Sequence, residues 1–230
     1  MKRKYIGLIM IISVLVLTAT GVFATEAGVN SNETDIYDLS NYEVKDFVYD
    51  DVYFKDIPFG HWATQYIYEA QEKGVINGYP DGTFLPENNV AVGEFIKMVA
   101  TTYFENYEYV APTDGSHWAM PYVNSLHRVV LNADNYDYAT LERTITRAEA
   151  ARLLCVLHYK THNVELDKSY SSVSNFADAD QITDATDKLA IDNCVKFGLI
   201  NGHAEDNTFR PLEGLTRCQA AKILMLTITR

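Results

Sequence analysis

Two arginine residues stand at the start of apolar helical stretches, where a cation is unexpected. Residues 146–149 read Thr-Arg-Ala-Glu, and residues 216–219 read Thr-Arg-Cys-Gln. A positive side chain in the first turn of a helix is disfavoured by about 0.3–1 kcal/mol, because the helix dipole is positive there. A guanidinium beside free helix N-terminal amides would, however, form a receptor for a carboxylate or phosphate. Arg147 and Arg217 are therefore candidate anion ligands, unless they pair with carboxylates of a neighbouring segment.

The residues that flank the two arginines predict how the helices begin. Thr146 precedes an apolar periodic run, and Glu149 follows three residues later. This spacing is typical of a capping box, in which the Thr hydroxyl accepts from the N3 amide and the N3 side chain accepts from the N-cap amide. Thr216 and Gln219 have the same spacing. We therefore expect Thr146 and Thr216 to be helix caps.

Blocks of sequence recur along the chain and predict an internal repeat. Gly-Val-Ile-Asn-Gly-Tyr-Pro-Asp-Gly-Thr-Phe-Leu-Pro at 74–86 returns 124 residues later as Gly-Leu-Ile-Asn-Gly-His-Ala-Glu-Asp-Asn-Thr-Phe-Arg-Pro at 198–211. Half of this spacing predicts a middle copy, and His61-Trp62-Ala63 indeed recurs as His117-Trp118-Ala119. Such a period indicates stacked supersecondary units. It predicts three repeats, at residues 51–107, 108–170 and 171–230.

Each repeat has the pattern of a helix, a loop and a second helix. Apolar residues at helical spacing are followed by Gly74 in the first repeat, a residue type that suits the left-handed end of a helix. Pro80 and Gly82 then predict a tight loop, and Phe84 is expected to anchor it. One such hairpin buries too little surface to fold alone, so the three must share a core. The expected fold class is all-α.

The N-terminal residues indicate export. Lys2, Arg3 and Lys4 precede an apolar run, and Val22-Phe23-Ala24 resembles a cleavage site, so residues 1–24 are predicted to be a signal peptide. An uncleaved anchor is the less favoured alternative, because the run is short for a spanning helix. Residues 25–50 are acidic and lack a clean period, which is typical of a linker or an extended arm. We expect a secreted protein that acts outside the cytoplasmic membrane.

Composition excludes several classes of function. The chain carries 31 acidic against 19 basic residues, for a formal net charge of -12. Such a chain repels phosphate backbones, so a general nucleic-acid binder is not expected. Three cysteines cannot all pair and are too few for a disulfide framework. They are predicted to be small buried residues, and a bond between Cys194 and Cys218 is left open.

The repeats resemble S-layer homology domains, the wall-anchoring modules of bacterial surface proteins. Three features carry the resemblance: the Phe-x-Asp start at Phe54 and Asp56, the two His-Trp-Ala copies, and the loop of residues 74–86 together with Ile-Thr-Arg-Ala-Glu at 145–149. The family implies a pseudo-threefold helical bundle. It also implies binding of a secondary cell-wall polysaccharide linked to peptidoglycan, often with pyruvate ketals that supply the anion.

The resemblance also implies roles for individual residues. Arg147 and Arg217 would be the anion ligands, with Glu149 and Gln219 beside them. Trp62 and Trp118 would line sugar grooves, and Gly78 and Gly202 would let the backbone approach the ligand. On this view the arginines have no internal role. Arg217→Ala should then weaken wall binding and leave the helices intact.

No single repeat is complete. Repeat one reads Val-Ala-Val-Gly-Glu at 90–94, so it lacks both the capping Thr and the Arg. Repeat two keeps the Arg motif but has lost the Gly, Pro and Phe of the loop between residues 133 and 141. Repeat three has Thr186 where repeat one has Trp62. We therefore expect one or two working pockets, each combining parts of neighbouring repeats.

Two functions from different classes remain open. The first is a wall anchor at the cell surface or in the S-layer. The second is a secreted protein of the same fold that binds a protein partner, such as another surface protein. An enzyme is not expected, because the sequence contains no Gly-x-Ser-x-Gly elbow, His-Glu-x-x-His run or phosphate loop. No cofactor or metal site is expected, and no membrane span after signal cleavage.

Overall fold

Short amphipathic helices account for the regular structure of the chain. A computed structural model describes residues 54–104, 107–127 and 136–229, and the predicted signal peptide and acidic linker lie outside these ranges. Isolated β-bridges, but no strands, occur within the described ranges. The all-α prediction is confirmed. The α-helices are α1 (Thr64–Glu72), α2 (Val92–Tyr103), α3 (Met120–Leu126), α4 (Tyr138–Glu142), α5 (Arg147–His162), α6 (Ala185–Lys196) and α7 (Arg217–Thr229), with 3₁₀ turns at Val173–Asn175 and Ala179–Gln181.

Three central helices pack against one another, and three outer helices pack around them. The pairs α2 with α5, α5 with α7, and α2 with α7 are all in contact. Each outer helix lies on the central helix that belongs to the preceding predicted repeat: α3 on α2, α6 on α5, and α1 on α7. The last contact joins the two ends of the described chain. This order closes the bundle into an approximate threefold arrangement.

A ring of backbone hydrogen bonds lies where the three central helices begin. The Val90 amide donates to the Leu215 carbonyl at 2.8 Å, the Leu215 amide to the Ile145 carbonyl at 3.1 Å, and the Ile145 amide to the Val90 carbonyl at 3.0 Å. All three side chains are buried. Because each residue donates to the next around a closed cycle, segments far apart in sequence are held in one register.

The predicted helix ends are confirmed by geometry. Glu149 Oε2 accepts from the Thr146 amide at 3.0 Å, and Thr146 Oγ1 accepts from the Glu149 amide at 3.3 Å. Thr216 and Gln219 make the same reciprocal pair, at 3.2 and 3.4 Å. Gly74 follows the C-cap of α1 with φ +66°. The left-handed conformation there suits a residue without a side chain.

Two aspartate side chains organise the loops: Asp178, which is buried, and Asp56, which is partly buried. The Asp56 carboxylate accepts from the amides of Phe84 and Leu85 at 2.7 and 2.6 Å. Asp178 does the same for Phe209 and Arg210, at 2.8 and 2.7 Å. Leu85 and Arg210 both have positive φ. The two amides therefore point to one carboxylate, and the preceding phenylalanine is turned into the core, which confirms Phe84 as an anchor.

The cysteines decide whether Cys194 and Cys218 form a disulfide bond. Cys155, Cys194 and Cys218 are all buried free thiols, so Cys194 and Cys218 are not paired. Cys194 Sγ donates instead to the Ala151 carbonyl at 3.3 Å.

Within the described ranges, no helix has both the length and the apolar character that crossing a membrane requires.

Candidate functional site

Arg147 is held by backbone carbonyls of a distant loop. Its Nε donates to the Phe209 carbonyl and its Nη2 to the Asn201 carbonyl, both at 2.9 Å. The guanidinium lies 5.0 Å from the centre of the Phe209 ring, and burial lowers its pKa. The expectation that this arginine has no internal role is therefore wrong. The alternative, a pair with a carboxylate, is also not what the structure has.

Arg217 repeats this arrangement at the next junction of the bundle. Its Nε donates to the Phe84 carbonyl and its Nη2 to the Asn77 carbonyl, both at 2.8 Å. Its guanidinium stacks on the rings of Phe84 and Tyr79, at 4.8 and 4.9 Å. Each arginine thus clamps the loop of another predicted repeat. Because the acceptors are main-chain oxygens, no sequence pattern of charged residues points to them.

The third junction has no such clamp. Val92 stands in α2 at the position of the two arginines, and its amide donates to the Arg143 carbonyl at 2.9 Å. The next residue, Gly93, packs close to the Leu141 carbonyl and His117. His117 Nε2 in turn lies 2.6 Å from Glu142 Oε1. The missing arginine in repeat one and the altered loop of repeat two therefore meet at the same interface.

A polar cavity of about 280 Å³ brings together four of the predicted site residues. Trp62, Arg147, Gly202 and Gln219 all line it. They come from three different predicted repeats. The packing of α1 on α7 brings Trp62 close to Gln219, and the hydrogen bond from Arg147 to Asn201 brings the start of α5 close to the loop that contains Gly202. The Trp62 side chain is 51% exposed. The cavity is consequently open to solvent, with an aromatic edge and a buried cation in its wall.

The other predicted site residues lie outside this cavity. The Glu149 carboxylate accepts two hydrogen bonds from the Arg143 guanidinium, at 2.8 and 2.5 Å. Burial raises the pKa of Glu149, but Arg143 and Thr146 outweigh burial and hold the pKa below its usual value. Trp118 packs beside Tyr122 on α3. Gly78 belongs to the corresponding loop of repeat one, and Arg217 of α7 contacts that loop.

The two glycines that recur in the loops, Gly78 and Gly202, are required by local packing. A Cβ atom on Gly78 would lie 1.9 Å from Cε1 of Phe54, and one on Gly202 would lie 2.3 Å from Cε1 of Phe176. Neither distance is sterically possible. The phenylalanine that opens each Phe-x-Asp motif therefore requires a glycine opposite it, whatever the ligand.

Two side chains in the cavity were missed by reasoning from the sequence. Lys222 and His203 both line it. Lys222 follows Gln219 by three residues, and cations recur at this position in the other central helices, as Lys97 and Arg152. The recurrence of a cation at this position is the feature of the sequence that could have identified Lys222. His203 stands where repeat one has Tyr79, and its Nε2 is buried without a hydrogen-bond partner among the described residues.

A second, apolar cavity is also lined by Trp62. It has a volume of about 610 Å³, and its other lining residues lie between positions 54 and 68, including Phe59 and Tyr68. Phe59 is 97% exposed. Trp62 therefore lines both a polar cavity and an aromatic one. No group of three or more potential metal ligands clusters in the part of the chain that the structure describes.

Known proteins with similar sequences are surface proteins. Residues 53–95 and 175–221 match the model of the S-layer homology domain. The chain is 25% identical over 179 residues to the S-layer protein EA1 of Bacillus anthracis and 26% identical to an S-layer protein of Bacillus licheniformis; each match covers 76% of this chain and 20% of the relative. A cellulosome-anchoring protein of Acetivibrio thermocellus is 31% identical over 85 residues, which cover 32% of this chain and 18% of that protein.

The chain thus spans about a fifth of the length of the S-layer proteins that it matches. The matched domain and these relatives indicate a cell-surface or S-layer location, which confirms that expectation. The predicted signal peptide lies outside the described residues. Residues 53–95 and 175–221 are thus similar to the S-layer homology domain.

Proposed function

We propose that this chain is a non-catalytic cell-surface module that binds an anionic, pyruvylated secondary cell-wall polysaccharide linked to peptidoglycan. One observation carries the proposal: the fold gathers Trp62, Arg147, Gly202 and Gln219 around one open polar cavity. The resemblance to S-layer homology domains implies a ligand-binding role for each of these four residues. Their convergence from three segments supports a single shared site.

The chemistry of the cavity suits a charged sugar. An exposed indole offers a flat apolar face for a sugar ring. Arg147 uses Nε and Nη2 internally, which leaves Nη1 without a partner among the described residues. Gln219 Oε1 accepts from the Thr216 amide, so its Nε2 is available as a donor. The cavity therefore combines a stacking surface with donors and no unpaired acidic group beside them.

The proposal includes three repeats, with boundaries at residues 51–107, 108–170 and 171–230. The closed ring of backbone bonds through Val90, Ile145 and Leu215 supports this division. The names of the relatives support the anchoring role, since one is a cellulosome-anchoring protein and others are S-layer proteins. We infer a comparable attachment to the wall for this chain.

Sedimentation with isolated wall sacculi tests the proposal. The chain should bind untreated sacculi and lose binding after mild acid removal of ketal-linked pyruvate. Trp62→Ala should weaken binding by roughly tenfold, equivalent to about 1.4 kcal/mol. Tyr159→Ala is the matched control, because Tyr159 is a partly exposed aromatic residue on α5 that lines neither cavity. Equal binding to both kinds of sacculi would contradict the proposal.

A protein partner is the second candidate, and one observation favours it. The apolar cavity with Phe59 at its rim is larger than the polar one. Contiguous exposed aromatic surface often marks a protein interface. If Phe59→Ser abolishes surface retention while pyruvate removal has no effect, the protein-partner function replaces the wall-polymer function.

A further inference from the structure

Among the residues that the structure describes, Lys222 has no carboxylate partner, although the chain has a large excess of carboxylates. The sequence contains 31 acidic and 19 basic residues. Lys222 is partly buried in the wall of the polar cavity, and its Nζ lies 5.6 Å from the centre of the Trp62 ring. Across the described residues it makes no ion pair and no side-chain hydrogen bond. Its charge is therefore available to a ligand.

A cation also stands at the equivalent position of the other two central helices, and one of these cations is neutralised within the protein. Arg152 follows Glu149 by three residues and pairs with Asp187 of α6, with Nη2 2.8 Å from Oδ2. That carboxylate neutralises the cation. Lys97, at this position in α2, has no ring contact among the described residues. Lys222 is thus distinguished by a free charge, an aromatic neighbour and a cavity together.

Arg147 is less suited to supply the free charge. Two of its three nitrogens donate to main-chain carbonyls, and its guanidinium lies on the Phe209 ring. Its position is set by the loop that it clamps, and it offers the cavity one nitrogen. The Glu205 carboxylate on the rim already faces Arg210 and His203, each at 3.4 Å. Glu205 therefore forms no ion pair with the Lys222 ammonium.

We propose that Lys222 is the specificity-determining contact for the negative charge of the ligand, and that Arg147 is a positioning residue for the cavity wall. This inference rests on the proposed function and assigns the charge recognition within it. The ligand class is a saccharide whose carboxylate reaches the ammonium while a sugar ring packs on Trp62. A partly desolvated ammonium interacts with such a carboxylate more strongly than an exposed one.

The experiment compares three variants of the full mature chain on isolated sacculi, untreated and after mild acid removal of pyruvate. Lys222→Gln removes the charge, and Lys222→Arg keeps it. Lys188→Gln is the matched control, since it makes the same charge change at an exposed position on α6 outside both cavities. The thermal unfolding midpoint of each variant is measured in parallel.

On untreated sacculi, Lys222→Gln should bind roughly tenfold more weakly than the wild type, the size expected for one charge-assisted contact. Lys222→Arg should stay within about threefold, and Lys188→Gln should match the wild type. The deficit of Lys222→Gln should shrink as salt is raised, because the screening length is about 10 Å at 0.1 M and shorter above it. On pyruvate-free sacculi the deficit should disappear.

Two results would overturn the inference in distinguishable ways. If the wild type requires pyruvate and Lys222→Gln binds equally well, the proposed function stands and the assignment to Lys222 fails. If the wild type binds both kinds of sacculi alike, the proposed function fails and this inference fails with it. A lowered unfolding midpoint in Lys222→Gln, without rescue of binding by Lys222→Arg, also counts against the assignment.

Discussion

The Nε of Arg217 donates a hydrogen bond to the carbonyl oxygen of Phe84 at 2.8 Å, although 133 residues separate the two in sequence. Arg147 and Phe209 make the equivalent bond at 2.9 Å. In each case the carbonyl belongs to a phenylalanine whose amide donates to an aspartate, Asp56 for Phe84 and Asp178 for Phe209. The arginine motif and the Phe-x-Asp motif therefore act on the same loop residue from opposite sides.

This relationship predicts that Arg217→Ala destabilises the fold, contrary to the expectation from sequence. The variant leaves the Phe84 and Asn77 carbonyls without their donors. Losing a partner of a buried polar group costs about 1–3 kcal/mol, so we expect a loss of about 2–4 kcal/mol, measured by urea denaturation. Arg217→Lys should recover part of it, because a single ammonium cannot reproduce the fork geometry. Lys188→Ala, at an exposed position, should change stability by less than about 0.5 kcal/mol. If Arg217→Ala leaves the midpoint of urea denaturation unchanged, Arg217 does not stabilise the fold and its role is confined to ligand binding.

The incomplete cap of α2 predicts a stabilising substitution. Ala91 stands where the other central helices have Thr, and its backbone is already extended, with φ −72° and ψ 154°. Glu94 already accepts from the Ala91 amide at 2.9 Å. Ala91→Thr should complete the reciprocal pair and raise the free energy of unfolding by about 1 kcal/mol. Ala91→Val has the same shape without the hydroxyl, so equal stability of the two variants would show that the cap contributes nothing.

The close approach of Phe54 to Gly78 predicts a specific energetic coupling. Gly78→Ala should destabilise the protein by about 1–3 kcal/mol, the range for forcing an extra methyl group into a packed site. Phe54→Ala removes the ring that a Cβ would strike. Adding Gly78→Ala to Phe54→Ala should therefore cost far less than adding it to the wild type, in a double-mutant cycle read by thermal unfolding. Additive effects would mean that Gly78 is required for another reason, such as contact with a ligand.

The environment of Glu149 predicts acid sensitivity. Burial raises the pKa of this carboxyl, but hydrogen bonds from Arg143 and Thr146 outweigh it and lower the pKa in the folded state. A lowered pKa stabilises the fold above the unfolded-state value of about 4.3, and this stabilisation is lost as pH falls through the folded-state pKa. Glu149→Gln should therefore flatten the decline of stability as the pH falls below about 4.3, followed by urea unfolding at each pH. Glu72→Gln, at an exposed position, should keep the wild-type slope. Identical slopes for Glu149→Gln and the wild type would contradict this account.

Local features of the fold were readable from spacing because they are made within one turn of helix. Thr146 with Glu149, Thr216 with Gln219, and Gly74 after α1 depend on residues three or four positions apart, and the structure has each of them as expected. The composition of the candidate cavity was also partly readable, since the resemblance to S-layer homology domains implies ligand roles for Trp62, Arg147, Gly202 and Gln219.

Tertiary structure decided which of these residues meet and what holds them. The acceptors of Arg147 are main-chain carbonyls 54 and 62 residues away, and every residue carries such a carbonyl, so composition cannot single them out. Lys222 and Trp62 come together because α7 packs on α1. The sequence by itself determined the helices, their caps and a set of candidate side chains. The closure of the bundle decided that two arginines hold loops and that one lysine keeps a free charge, because that outcome depends on packing between segments far apart in the chain.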